Sequence, residues 1–156
     1  MPTEEQVEAY NRRELAKLAK AFTLMGDEAV SEARNAAASF ARFALSEIQS
    51  SARGRTKGTK AAIRIADGAK VSVSSKTGRI DLGFAGQRFS GGGSTQKLWA
   101  GYEFGSNRYR QFPSWSGRYG SGSRGWFIYP TLRKIQPELT KKWEVVANSI
   151  IKKWAQ

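Results

Sequence analysis

Residues 27–50 read DEAVSEARNAAASFARFALSEIQS, and small or apolar side chains recur in this stretch every three or four positions. This spacing places them on one side of an α-helix. The same pattern extends towards the N-terminus, so the stripe comprises Leu15, Leu18, Phe22, Met25, Ala29, Ala33, Ala36, Phe40 and Phe43. The first fifty residues are therefore predicted to be helical. Gly26 interrupts the stripe, and we expect it to bend the helix or to split it in two.

The pattern changes after a basic link at residues 51–60, SARGRTKGTK. Apolar residues then alternate with polar ones in three short runs, with Asp67-Gly68 and Thr77-Gly78 between them. The runs are Ile63 and Ile65, then Val71 and Val73, then Ile80, Leu82 and Phe84. Alternation with short glycine turns is typical of antiparallel strands with one buried face. The sequence therefore predicts a β-meander.

Glycine dominates the next part of the chain, since 11 of the 16 glycines lie between Gly83 and Gly125. Two stretches, Phe89–Gln96 and Ser106–Ser123, are predicted to be long loops. Lys97–Phe104 and Gly125–Tyr129 are predicted to be further strands, the second of them ended by Pro130.

An amphipathic helix is predicted for residues 131–156, with Pro137 in its first turn. Its apolar face comprises Leu139, Trp143, Val146, Ile150 and Trp154. The predicted fold is a single α+β domain over residues 1–156. It has a long N-terminal helix (1–50), the basic link (51–60), an antiparallel sheet with Gly-rich loops (61–130) and this C-terminal helix.

Positive charge is concentrated in the middle of the chain. The whole sequence has 26 Lys+Arg and 13 Asp+Glu, a net charge of +13. Residues 51–134 alone contain 16 basic residues and only three acidic ones, Asp67, Asp81 and Glu103. Such a surface favours phosphate backbones or acidic protein partners.

The sequence lacks most of the residue types that usually carry catalysis. There is no histidine and no cysteine, which excludes the usual catalytic triads, thiol nucleophiles and zinc sites. The glycine-rich run from Gly120 to Gly125 is followed by β-like residues rather than by the helix that a phosphate-binding loop requires. We therefore expect a protein that is not an enzyme and binds no metal or cofactor.

Membrane association is not expected. No apolar run approaches the roughly 20 residues that a membrane span needs. The N-terminal residues Met-Pro-Thr-Glu-Glu are acidic and polar, unlike a signal peptide. These features predict a soluble protein without a leader.

Arginine and aromatic residues alternate between Gly101 and Tyr129. This combination is typical of single-stranded nucleic-acid binding and equally of protein interfaces. Three apolar residues of this stretch, Phe104, Trp126 and Ile128, are predicted to lie in the core. The aromatic residues predicted to meet other subunits or partners are Tyr109, Phe112, Trp115 and Tyr119, together with Trp154 in the last helix.

Two short motifs in the C-terminal part, Glu103-Phe104-Gly105 and Gly125-Trp126-Phe127-Ile128-Tyr129-Pro130, precede an amphipathic helix. With Arg55-Thr56-Lys57-Gly58 as a basic Arg-Thr-x-Gly-like link, this order resembles the small neck or tail-completion proteins of long-tailed bacteriophages. The elements match in order over nearly the full length, and specific residues match over about a fifth of it. The insert from Asn107 to Ser123 exceeds what the resemblance leads us to expect.

The resemblance implies a virion protein, assembled in the host cytoplasm, that forms a ring of about six copies around the channel crossed by double-stranded DNA. It would join the head-closure part to other neck and tail proteins, with no membrane partner. The candidates for facing the DNA are Arg53, Arg55, Lys57, Lys60, Arg108, Arg110, Arg118 and Arg124.

Three other functions remain open from the sequence. A tail terminator, or another minor tail protein, has the same class of function at a different position in the particle. A freestanding protein that binds nucleic acid without sequence preference would also explain the charge and the aromatic residues. A nuclease is the least supported, because the three central carboxylates are widely spaced.

Overall fold

The structure is a computed structural model. It describes residues 12–56, 58–72, 79–82, 84, 86, 88–89, 92–105 and 125–154, with backbone alone for residues 12–16, 18, 19 and 79. The described elements are, in chain order, α1 (Arg12–Met25), α2 (Asp27–Gly54), α3 (Lys60–Asp67), β1 (Lys70–Ser72), β2 (Arg79–Asp81), α4 (Thr95–Phe104) and α5 (Tyr129–Trp154). The described part is mostly helical, with a small antiparallel sheet and a C-terminal helix.

Gly26 divides the N-terminal helix in two, which is one of the two outcomes expected from the sequence. Its φ of 111° is accessible to glycine but strained for other residues. Its carbonyl still accepts a hydrogen bond from the N–H of Val30 at 3.2 Å. Asp27 and Glu28 follow in the first turn of α2, where the helix dipole favours carboxylates.

Helix α2 is the scaffold against which α1, α3 and α5 pack. Near its start, Ala33 shares a core cluster with Ala147 and Ile150 of α5, and further along Ala44 shares one with Ile135 and Leu139. Helices α2 and α5 therefore run antiparallel. The buried residues of α2 are mostly alanines, whose short side chains let neighbouring helices approach closely: Ala29, Ala33, Ala37, Ala38, Ala41, Ala44, Leu45, Ile48 and Ala52.

Larger side chains reinforce the α2–α5 pair. The rings of Phe40 and Trp143 meet edge to face with their centroids 5.0 Å apart. At the end of the pair, the Nζ atom of Lys153 lies 2.7 Å from Oε1 of Glu32. This ammonium lowers the pKa of Glu32. Because the ion pair is exposed, it contributes little to stability compared with the packing of the buried Trp143 ring on Phe40.

A second part of the core lies at the C-terminal end of α2. It brings together Ile48, Ala52, Ala62, Ile65, Ala66, Trp126, Phe127 and Ile128. The predicted burial of Trp126 and Ile128 is confirmed. Phe104 is only half-buried, with its ring centroid 5.1 Å from that of Tyr129, so its predicted place in the core is wrong.

The first predicted strand is wrong. Ile63 and Ile65 lie in helix α3, whose buried residues are Ala62, Ile65 and Ala66. These three have the i, i+3, i+4 spacing of a helix face, but two of them are alanines and the two isoleucines dominate the pattern. Gly68 ends α3 rather than forming a hairpin turn, and its N–H donates to the carbonyl of Arg64 at 3.0 Å.

The other two predicted runs form strands in part, since Val71 lies in β1 and Ile80 in β2, whereas Leu82 and Phe84 lie in turns beyond β2. Strands β1 and β2 pair antiparallel, with Val71 opposite Ile80. Val73 and the predicted turn at Thr77-Gly78 lie outside the described residues. Within the described ranges, the expected meander is thus a two-stranded sheet.

The predictions of two further strands are also wrong. Lys97–Phe104 belongs to helix α4, although aromatic residues in short runs favour strands. Gly125–Ile128 is an irregular segment before α5, and Tyr129 already begins that helix. The predicted loop at Phe89–Gln96 overlaps the start of α4 at Thr95, and the predicted loop at 106–123 lies outside the described residues.

Helix α5 begins earlier than predicted. Pro130 lies in its first turn, where the missing N–H costs nothing, and Pro137 lies inside the helix rather than at its start. The basic link is also shorter than the predicted range 51–60. Residues 51–54 form the last turn of α2, and Lys60 begins α3.

Membrane-spanning helices were also sought. Among the described residues, none of the helices combines the length and apolar character that a bilayer crossing requires.

The packing predicts different roles for two tryptophans of α5. Trp143 is buried against Phe40, whereas Trp154 is half-buried in the last turn. We expect Trp143→Ala to lower the free energy of unfolding by about 3–5 kcal/mol, and Trp154→Ala to lower it by less. Urea unfolding of both variants measures the difference. A loss for Trp154→Ala equal to or greater than that for Trp143→Ala would contradict this packing.

Candidate nucleic-acid interface

Glu103 is the most buried carboxylate of the described residues, with 2% of its surface exposed. It lies in the last turn of α4, and its carboxylate accepts hydrogen bonds from three successive backbone N–H groups. Phe127 donates to Oε1 at 2.8 Å, Tyr129 donates to Oε2 at 2.8 Å, and Ile128 donates to both oxygens at 3.0 and 3.1 Å. We call this arrangement the Glu103 cap.

The cap holds the segment that leads into α5 and the first N–H group of that helix, which belongs to Tyr129. The first N–H groups of a helix have no partner inside the helix, and a nearby side-chain acceptor or water must satisfy them. Here the acceptor comes from a different helix, α4. The segment is further held by Thr131, whose hydroxyl donates to the carbonyl of Phe127 at 2.8 Å. A carboxylate also suits the positive end of the α5 dipole.

Two opposing effects act on the pKa of Glu103. Burial raises the pKa, because the charged form loses its hydration. The backbone N–H groups of Tyr129, Ile128, Phe127 and Trp126 act in the opposite direction, and the net shift is upward. The hydrogen bonds therefore offset part of the cost of burying this charge.

Gly125 is required beside the cap for two reasons. Its φ of 82° is strained for any residue with a side chain. A Cβ atom at this position would also overlap Oε2 of Glu103 and lie 3.1 Å from Cδ of Pro130. The two C-terminal motifs of the sequence therefore form one physical unit, in which the glutamate of the first caps the segment that begins at the glycine of the second.

The Arg-Thr-x-Gly-like link forms the turn between α2 and α3. The buried hydroxyl of Thr56 donates to the carbonyl of Ala52 and accepts from the N–H of Thr59 at 3.2 Å. Gly58 has a φ of 77°, and its N–H donates to the carbonyl of Arg53 at 3.0 Å. Thr56 and Gly58 thus close the turn, which leaves Arg55 exposed just beyond the end of α2.

Arg53, one of the DNA-facing candidates, already has a protein partner. Its guanidinium binds both carboxylate oxygens of Asp67, at 3.0 and 2.6 Å, and this raises the pKa of Arg53. Arg55 and Lys60 are exposed. The other candidates lie outside the described residues: Lys57, Arg108, Arg110, Arg118 and Arg124.

Arg55 lines a polar cleft of about 260 Å³ between the end of α2 and the start of α5. The side of α2 supplies Glu47, Ser50 and Ser51 as well as Arg55. The side of α5 supplies Pro130, Thr131 and Lys134. We call this site the α2–α5 cleft. Sequence reasoning did not single out Ser50, Ser51 or Lys134, because only the packing of α2 on α5 brings these distant segments together.

Most of the aromatic residues predicted to lie at interfaces are outside the residues that the structure describes. Tyr109, Phe112, Trp115 and Tyr119 lie in a part of the chain that the structure does not describe. Trp154 is half-buried and packs against the cluster formed by α1, α2 and α5. Its predicted role at an interface remains a prediction.

A second group of exposed cations lies on and beside α3. Lys60 and Arg64 are one helical turn apart on α3. The guanidinium of Arg64 donates to the carbonyl of Arg88 at 2.9 Å and lies 5.3 Å from the centroid of the Phe89 ring. These contacts bring Arg88 against α3, so that three basic residues share this surface.

Clusters of metal-binding side chains were sought among the described residues. Across the ranges that the structure describes, no three or more Asp, Glu, His or Cys side chains come together to hold an ion. Comparison of the chain with protein-family models, curated proteins and solved structures gave no match.

The Glu103 cap predicts that the two accepting oxygens at this position stabilise the fold. Glu103→Gln keeps the size of the side chain but replaces one accepting oxygen by an NH₂ group that faces backbone donors. We expect a loss of about 1–3 kcal/mol in the free energy of unfolding, measured by urea denaturation. The control is Glu138→Gln, which removes only an exposed pair with Lys142 and should cost less than about 0.5 kcal/mol. Equal effects of the two substitutions would refute the cap.

Gly125 supplies a second test of this unit. Gly125→Ala should destabilise the protein by at least about 1–2 kcal/mol, because it adds a strained φ and displaces the Glu103 carboxylate. Gly54→Ala is the matched control, since a Cβ at the end of α2 would meet nothing within 4 Å. That change should be neutral or should stabilise by up to about 1 kcal/mol. Thermal unfolding of both variants is the measurement, and a neutral Gly125→Ala would contradict the geometry described here.

Proposed function

We propose that this chain is a non-enzymatic structural subunit of the neck or tail-completion region of a long-tailed bacteriophage. In this proposal about six copies form a ring in the virion, around the channel that double-stranded DNA crosses. The observation that carries the proposal is the Glu103 cap. Glu103-Phe104-Gly105 and the segment from Gly125 to Pro130 are the motifs on which the family resemblance depends, and they act on each other directly.

The distribution of charge supports a polyanionic partner. Of the three acidic residues between positions 51 and 134, Asp67 is taken by Arg53, and Glu103 is buried against backbone N–H groups. Neither neutralises the remaining basic surface. The exposed basic residues described in this region are Arg53, Arg55, Lys60, Arg64, Lys70, Arg88, Lys97 and Lys134.

The proposed subunit meets its neighbours through the Gly-rich segment 106–123. This segment carries Tyr109, Phe112, Trp115 and Tyr119, which are residue types enriched at interface hot spots. In the sequence it lies between Gly105 and Gly125, and the Glu103 cap is adjacent to both of these glycines. The proposal assigns the segment to docking on other subunits and on adjoining neck or tail proteins.

The assembly state and DNA binding of the purified chain test the proposal together. Light scattering should give about 103 kDa, the mass of six copies of the 17.2 kDa chain. Binding to duplex DNA should lack sequence preference, and its logarithm should fall steeply with the logarithm of the salt concentration.

Each alternative has its own result. A 17.2 kDa monomer that binds DNA would support the freestanding nucleic-acid-binding protein instead. Absence of DNA binding at low salt would overturn the DNA-facing part of the proposal. Electron micrographs of particles carrying a labelled chain distinguish a neck position from that of a tail terminator.

A further inference from the structure

The α2–α5 cleft combines two cations with several hydroxyl groups. Arg55 stands on one side and Lys134 on the other, with Ser50 and Ser51 in the last turns of α2. Within the described part of the chain, neither Arg55 nor Lys134 takes part in an ion pair. Both are exposed and free to bind an anion from solution.

These side chains match the donors that proteins use for nucleic-acid phosphates. Phosphate oxygens are contacted mainly by Arg and Lys, by Ser and Thr hydroxyls, and by backbone N–H groups. Arg55 supplies a planar fork of N–H donors, which suits two phosphate oxygens, and Lys134 supplies a mobile point charge. The hydroxyl of Thr131 already donates to Phe127, so Ser50 and Ser51 are the available hydroxyl donors.

The remaining lining residues limit what can bind. Glu47 contributes one negative charge, so the cleft as a whole has a net charge of +1 from Arg55, Lys134 and Glu47. The cleft therefore remains positive enough to attract a singly charged anion. A phosphodiester carries one negative charge per phosphate. Pro130 adds an apolar wall, against which a sugar ring can pack.

The cleft is built on rigid elements. Ser50 and Ser51 belong to α2, the Arg55 N–H donates to the Ser51 carbonyl at 2.8 Å, and Lys134 lies in the second turn of α5. The start of α5 is itself held by the Glu103 cap. The backbone positions of the two cations are therefore held by helices rather than by independent loops.

We propose that the α2–α5 cleft holds one backbone phosphodiester of duplex DNA, through Arg55, Lys134 and the hydroxyls of Ser50 and Ser51. This inference rests on the proposed function, in which the subunit faces DNA. It adds a defined phosphate position to what would otherwise be a diffuse basic surface. It also assigns Lys134, in the C-terminal helix, to the same contact as Arg55 in the Arg-Thr-x-Gly-like turn.

The test compares two double variants of the full chain that lose the same charge. Arg55→Ala with Lys134→Ala empties the cleft of cations, whereas Lys141→Ala with Lys152→Ala removes two exposed lysines elsewhere on α5. Binding to a short duplex is measured across a range of salt concentrations. For the cleft variant we expect weaker binding and a salt slope smaller by about 1, since one phosphate contact is lost and each contact contributes about 1 to the slope. The control variant should keep nearly the slope of the unmodified chain.

Two variants separate direct contact from general charge. Ser50→Ala with Ser51→Ala leaves the net charge unchanged, and we expect it to weaken binding several-fold with a similar salt slope. Glu47→Gln should strengthen binding more than Glu144→Gln, an exposed substitution on α5 with the same charge change. Thermal unfolding of every variant checks that each remains folded.

The outcomes distinguish this inference from the proposed function. If the unmodified chain binds DNA and the two double variants behave alike, the cleft is not the phosphate site, and the proposed function stands. If no form of the chain binds DNA at low salt, the DNA-facing proposal itself fails. If the cleft variant binds DNA normally but does not assemble, the occupant is an acidic side chain of a neighbouring subunit, which overturns the inference.

Discussion

The Glu103 carboxylate, buried at the end of α4, accepts hydrogen bonds from the N–H groups of residues 127–129 at the start of α5. This interaction holds the start of α5 and the residues just before it against the end of α4. It places Trp126, Phe127 and Ile128 in the core, and it holds the start of α5 beside the end of α2. A buried charge is costly unless it is fully hydrogen-bonded, so the arrangement is stable only as a whole. The positive φ of Gly125 follows from the same constraint, since a side chain there would occupy the space of the carboxylate.

The remaining architecture depends on the alanine-rich face of α2. Short side chains along this helix let α1, α3 and α5 pack on it, and larger residues such as Phe40 and Trp143 fill the space beside them. At its C-terminal end, the turn closed by Thr56 and Gly58 reverses the chain into α3. The same turn leaves Arg55 exposed at the end of α2, opposite Lys134. The turn and the candidate binding residue Arg55 are thus adjacent, because both belong to the Arg-Thr-x-Gly-like motif.

The proposed role follows from how the few acidic groups of the central region are used. Asp67 pairs with Arg53, and Glu103 caps the start of α5. Because these two carboxylates bind groups of the same chain, they do not neutralise the other exposed basic residues. Those residues are available to a partner outside the chain. A polyanion such as DNA fits that surface. The phosphate position proposed in the α2–α5 cleft gives this general attraction a specific geometry.

The sequence by itself determined the helices with strong three-and-four periodicity, the break at Gly26, the antiparallel pairing of two strands and the burial of Trp126 and Ile128. These features depend on local backbone preferences and on side-chain patterns within one element. The tertiary structure decided that α3 and α4 are helices. The two isoleucines of α3 alternate as in a strand, the aromatic run of α4 has little helical periodicity, and packing against neighbouring helices overrides both signals. The tertiary structure also decided that Glu103 caps α5 and that Arg55 and Lys134 line the same cleft. Both arrangements join residues far apart in the chain. The cap requires the end of α4 to lie against the start of α5, and the cleft requires α5 to pack antiparallel on α2.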